Sequence, residues 1–192
     1  MYLTIRYHSC GNMTCSKSNH SECLKRINED YKFYLSFENS NCKEYITEKF
    51  YHNALGYNDH DHMIVPIVMG PDKQDYLRLG PPNSFIHIDD FSSLKDLADY
   101  LKQLDGNDSL YERYFHWKAT GRFIDTKFLC RLCAMLHWSH ANGKQKSYAS
   151  VRDWWTKGSS GVQAQCAWET RPKAHSTGRY ANIKIYHESA RP

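Results

Sequence analysis

No run of apolar residues in the 192-residue chain approaches the roughly 18 to 20 needed to span a bilayer. The longest, MIVPIVMG at residues 63–70, is strand-sized, and the first ten residues, MYLTIRYHSC, hold no signal-peptide core. As written, the chain is expected neither to cross a membrane nor to carry a readable address. Charge of one sign is equally scarce. The 25 Lys and Arg and 21 Asp and Glu are scattered, and their net +4 forms no basic stripe or tail of the kind that holds nucleic acid. A nucleic-acid partner is therefore not expected; small anionic ligands suit the mild excess. A second CxxC is missing too. Cys130 and Cys133 make the one such pair, whereas structural zinc sites couple two knuckles or a knuckle with spaced histidines, so no metal site is expected.

The length suits one domain, or one and a half at roughly 150 residues each. A composition 41% hydrophobic and 24% charged fits a globular protein and argues against wholesale disorder. Aromatic residues reach 14%, enough to line a sugar or base groove, although cores use them more often. Of seven cysteines, Cys10, Cys15, Cys23 and Cys42 crowd the first quarter, and Cys166 stands alone. Disulfides require an oxidising compartment. Three glycosylation triplets, at Asn12, Asn19 and Asn107, agree with it, two of them inside the cysteine-rich segment. Two local bridges are expected among the early four cysteines, with three pairings open. An odd cysteine count without a signal sequence suggests part of a longer chain.

Along the chain, a strand at residues 2–7 and a polar, cysteine-stapled loop to residue 30 are expected, then a strand over YKFYLSF at 31–37. A turn at 38–41 leads into a helix over 44–55, with Gly56 as its stop. The run at 64–69 reads as a strand buried on both faces, with Pro66 near its start or at an irregularity. A short helix at 72–79 and a strand at 84–88 follow; Ser93 and Asp96 resemble a capping box opening a helix that Gly106 ends. Further helices are expected over 108–117 and 125–138, then an aromatic turn at Trp154 and Trp155 that anchors on the domain. The organisation is thus one domain over residues 1–169 and a peripheral tail over 170–192, in which 180–186 can form an edge strand. Alternating strands and helices specify an α/β domain with a mostly parallel sheet, whose ligands bind outside the carboxyl ends of the strands. Attention therefore falls on residues 38–49.

That segment, ENSNCKEYITEK, joins a strand end, a polar turn and a helix start. Asn39 and Ser40 can hydrogen-bond a sugar or nucleotide, and Lys49 can neutralise a phosphate, a charge pair worth roughly 4 kcal/mol at ~4 Å before desolvation. The competing account makes residues 39–41 a helix cap and Glu48 and Lys49 a solvated face. Asp59, His60, Asp61 and His62 look like metal ligands, but four adjacent polar residues rarely converge on one ion, and a solvated loop is the simpler account. His87, between Ile86 and Ile88, is expected to pack on a strand face.

YKFYLSFENSNCKEYITEKFYHNAL resembles the signature segment of the α1,3-fucosyltransferases, and IVPIVMG, PPNSFIHIDDF, SLKDLADYLKQLD, YERYFHWK, CRLC and DWW follow in that family's order. The resemblance covers roughly residues 10–155, and the spacing of Cys10, Cys15 and Cys23 is most like invertebrate and plant members. It implies the Rossmann-like, donor-binding domain of a GT-B glycosyltransferase, here incomplete. The implied reaction is inverting transfer of L-fucose from GDP-fucose to an N-acetylglucosamine of a glycoprotein glycan, without a cofactor or required metal. By the same resemblance, Asn39, Tyr45, Glu48 and Lys49 contact GDP-fucose, Lys49 on the diphosphate and Glu48 on sugar hydroxyls, while Tyr34 helps form the nucleotide pocket. The implied location is the Golgi lumen, in a type II membrane protein anchored amino-terminally.

Three departures temper those implications. The family's acceptor domain with its general-base carboxylate, and the first strand and helix of the donor domain with a diphosphate-binding arginine, have no counterpart here. The link over 56–63 is long. The chain alone is therefore expected to have little or no transferase activity, and Cys130 and Cys133, whose counterparts pair with the acceptor domain, to lack those partners. A non-catalytic GDP-sugar-binding or lumenal interaction module is the alternative.

Overall fold

The computed structural model describes residues 20–56, 62–142, 147 and 149–153. The expected strand at 2–7, Cys10, Asn12, Cys15, Asn19, most of the Asp59–His62 cluster, Trp154, Trp155, Cys166 and the 170–192 tail lie outside them. Three parallel strands, β1 (Phe33–Phe37), β2 (Val65–Met69) and β3 (Ile86–His87), form a sheet in that order. Phe33 pairs with Val65 through to Phe37 with Met69, and Ile67 pairs with Ile86. The α/β expectation with a parallel sheet stands on these pairings.

The apolar run of β2 follows from its central place. Alternate residues face opposite sides. Val65 and Ile67 join Ile86, Ile88, Leu97, Leu104 and Tyr111 on one face, whereas Val68 joins Phe50, Leu55, Tyr76 and Trp117 on the other. Each such side chain contributes about 1.5–3 kcal/mol when fully buried. Pro66 is tolerated because the Val65 N–H points to β1, bonding the Lys32 carbonyl, so the missing N–H of Pro66 faces the side where β3 has not yet begun.

Helices α2 (Lys73–Leu79), α3 (Leu94–Asp105) and α4 (Asp108–Glu112) each begin at a side-chain cap. Asp72 accepts from the Gln74 N–H at 2.8 Å, Ser93 from the Asp96 N–H and Asn107 from the Leu110 N–H, both at 3.1 Å. The Tyr111 hydroxyl lies 2.8 Å from the Lys32 carbonyl and 2.9 Å from the Met63 carbonyl, which holds the starts of β1 and β2 against α4.

Four expectations need correction. Part of the expected loop is helix α1 (His20–Asp30): Leu24 and Ile27, three apart, give one inward stripe too narrow to stand out among charged residues that are good helix formers. The 44–55 helix is instead a π-helix over Lys49–Ala54, and Glu44, its expected start, takes the left-handed φ +61°. The 108–117 helix tightens into a 3-10 helix at Arg113–Ala119. The 125–138 helix is α5 (Phe128–Asn142), displaced toward the carboxyl end, with Cys130 and Cys133 as exposed free thiols. Cys23 and Cys42 are in disulfides. Among the described residues no helix is long and apolar enough to cross a membrane.

Candidate functional site

The carboxyl end of β1 delivers Glu38, whose N–H bonds the Met69 carbonyl at 2.7 Å and so continues the ladder by one residue. Tyr34, Ser36 and Glu38 share the strand face turned toward the π-helix, by the two-residue period. Tyr34 marks that contact, accepting at its hydroxyl from the Asn53 amide at 3.2 Å. Ser36 is fully buried and Glu38 nearly so. The close approach of Gly70 makes the room: a Cβ there would lie 2.7 Å from the Glu38 Cβ.

Buried, the Glu38 carboxylate needs partners, and the following turn supplies them. Its Oε1 accepts from the Thr47 N–H and its Oε2 from the Thr47 hydroxyl, both at 2.8 Å. The Lys49 ammonium stands 3.6 Å from Oε2 and 3.9 Å from Glu48 Oε1. Lys49 opens the π-helix, where the helix dipole disfavours a cation, and the two carboxylates offset that placement. Glu48 is exposed while Lys49 keeps 24% of its side chain accessible, so the ammonium lies between a buried anion and the exterior.

Between Glu38 and Thr47 the chain is tied down twice more. The Ser40 hydroxyl lies 2.9 Å from Cys42 Sγ and donates to it, since a disulfide sulfur has no proton to give. Glu44, whose left-handed backbone costs about 1–3 kcal/mol, is held by its N–H on the buried Asp75 carboxylate at 2.8 Å and by Arg78 at 2.7 Å. Arg78 also donates to Asp75 at 3.0 Å. Asn39 is exposed and Tyr45 half-buried on this fixed loop. Burial pushes the Tyr34 hydroxyl pKa up, the Asn53 amide opposes that rise, and the charges of Glu48 and Glu38 add to it.

The structure thus sets Lys49 between Glu38 and Glu48, joins Tyr34 to Asn53 of the π-helix, and places Asn39 and Tyr45 on the connecting loop. Sequence reasoning missed Glu38, Thr47 and Gly70 as members. The alternation Tyr34, Ser36, Glu38 carried the signal for the first. His62 is buried rather than in a solvated loop; its Nε2–H donates to the Asn53 carbonyl at 3.0 Å, behind the π-helix. Among the described residues no three His, Cys, Asp or Glu side chains converge as a metal site would require. His87 is buried against the Tyr76 ring, 5.6 Å between centroids, with Nδ1 accepting from the Asp89 N–H.

The sequence pattern of glycosyltransferase family 10 (fucosyltransferase), in its carboxyl-terminal part, matches residues 2–154. The chain belongs to that family. This family 10 chain is 50% identical over 149 residues to the glycoprotein 3-alpha-L-fucosyltransferase A of Drosophila melanogaster, a match covering 78% of the chain and 29% of the relative. It is 35% identical to the alpha-(1,3)-fucosyltransferase C of the same organism, over 78% of the chain and 33% of the relative. To a 4-galactosyl-N-acetylglucosaminide 3-alpha-L-fucosyltransferase of Homo sapiens it is 43% identical, over 66% and 32%. The family 10 chain therefore spans about a third of the length of the curated relatives it matches.

Proposed function

We propose that this chain is the donor-binding part of an α1,3-fucosyltransferase, in which L-fucose passes from GDP-fucose to an N-acetylglucosamine of a glycoprotein glycan. Family membership supports the reaction class. The observation that carries the assignment of the site is the Lys49 ammonium, held by a buried carboxylate in the loop that leaves the carboxyl end of a parallel strand. Ligands of open parallel sheets bind at that edge. An ammonium fixed there compensates the charge growing on the diphosphate as GDP leaves. Glu48, exposed beside it, hydrogen-bonds sugar hydroxyls and senses positive charge on the ring, while Asn39 and Tyr45 contact the nucleotide-sugar and Tyr34 backs the pocket. A carboxylate elsewhere in the whole enzyme takes the acceptor's proton, giving inversion. The Rossmann-like, GT-B arrangement is part of the same proposal, as is the Golgi lumen as the compartment. The disulfides of Cys23 and Cys42 accord with an oxidising lumen.

GDP titrated calorimetrically into the wild-type chain and the Lys49→Ala variant tests the assignment. Removing the cation is expected to weaken GDP about tenfold or more, by loss of a charge-assisted contact. Equal affinities in a folded variant overturn it.

A further inference from the structure

We infer that Glu38 is a positioning residue that acts as the internal counter-anion of Lys49, aiming the ammonium before the donor arrives and weakening its hold on the diphosphate afterwards. The inference rests on the assignment of Lys49 to the diphosphate. It adds a second role for a carboxylate that never reaches the ligand.

Glu38 is fixed on every side. Its backbone is pinned by the Met69 carbonyl, its Cβ by Gly70, and both oxygens by Thr47, while its side chain has no exposed surface. Such a carboxylate has no freedom to swing away when a second anion approaches. Lys49, by contrast, is partly exposed and stands 3.6 Å off, too far for a committed hydrogen bond, so its three donors stay available. The ammonium is therefore shared: an incoming diphosphate meets a cation whose charge is already part-compensated from behind. Such an arrangement raises order in the free site and lowers affinity for the anion that must leave as product. Without Glu38, the same lysine would bind a diphosphate with its full, undivided charge.

Glu38→Gln separates this role from a purely structural one. The amide carbonyl still accepts from the Thr47 N–H, and its NH2 donates to the Thr47 hydroxyl, so the loop stays tied while the negative charge is gone. GDP binding to the full chain, followed by calorimetry, is expected to tighten about five- to tenfold in Glu38→Gln, the range of coupling between groups that share one partner. The gain is expected to vanish in the Glu38→Gln, Lys49→Ala double variant compared with Lys49→Ala alone. A residue that served only to hold the loop would give unchanged or weaker binding, and that result overturns the inference. If wild type binds GDP and Lys49→Ala weakens it while Glu38→Gln does not tighten it, the counter-anion role fails and the assignment of Lys49 survives. If Lys49→Ala changes nothing, both fail. Thermal melting of the folded variants gives a second, independent reading of the same pair. Lys49→Ala leaves a buried carboxylate uncompensated, so the double variant must melt higher than Lys49→Ala; no rescue also overturns the inference.

Discussion

Gly70 lies so close to Glu38 that a methyl group on its α-carbon would sit 2.7 Å from the Glu38 Cβ and 2.9 Å from its Cγ. Both contacts are to the stem of a fully enclosed side chain, so neither atom has room to retreat. Gly70→Ala is therefore expected to cost about 1–3 kcal/mol by overpacking, and to displace the carboxylate that holds Thr47. Urea denaturation measures the first effect. GDP titration measures the second: weaker binding is expected because the loop that carries Lys49 loses its tie through Thr47, an effect that Glu38→Gln, which keeps that tie, does not share.

Thr47 contributes two donors to one carboxylate, and only one of them is a side chain. Thr47→Val keeps the shape and the backbone N–H but deletes the hydroxyl. A hydrogen bond to a charged group is worth about 1.5–3 kcal/mol, so a loss in that range is expected in denaturant melts. A loss below a few tenths would deny the hydroxyl contact any energetic weight.

Strands β1 and β2 and the helix after Ser93 were legible because each rests on local chemistry: a buried apolar run, a capping hydroxyl. Helix α1 was not, since Leu24 and Ile27 offer a single pair where periodicity needs several turns. Nor was the non-helical backbone at Glu44, which Asp75 and Arg78 hold from a distant helix. The same limit hid Glu38. The residues that follow it in sequence are polar, and its burial comes with Gly70 against its stem and Thr47 on its carboxylate.

Asn107 caps α4 through its Oδ1 and is also the acceptor asparagine of a glycosylation triplet. Asn107→Asp preserves the cap, and Asn107→Ala removes it at an expected cost of about 1 kcal/mol. Comparing the two in thermal melts isolates the cap, because both abolish the triplet. Equal melting temperatures would deny the cap any energetic weight.

Cys130 and Cys133 sit one turn apart on exposed α5, whereas Cys23 and Cys42 are in disulfides. A maleimide reagent applied to the folded, unreduced chain is expected to label Cys130 and Cys133 within minutes and to spare Cys23 and Cys42. Peptide mapping after digestion reads the four sites separately. Labelling of Cys23 or Cys42 without reductant would remove the disulfides, and with them the support for an oxidising compartment.

Burial raises the pKa of the Tyr111 hydroxyl, and the charge of Asp105 raises it further. Burial likewise raises Tyr114, whose hydroxyl lies 2.7 Å from that of Tyr100. The folded state therefore keeps these protons at pH values where the unfolded chain, with tyrosines near the ordinary 10.0, releases them. Stability from this source is complete below the unfolded value and declines as pH rises above it toward the raised, folded one. Urea melts at about pH 8 and about pH 11 should accordingly show a marked fall in midpoint, since the unfolded chain binds fewer protons in the alkaline window. Tyr111→Phe is expected to lower stability near pH 8, where the contacts to the Lys32 and Met63 carbonyls are lost, and to flatten the alkaline decline. A decline of unchanged slope in the variant would place the alkaline sensitivity in other groups.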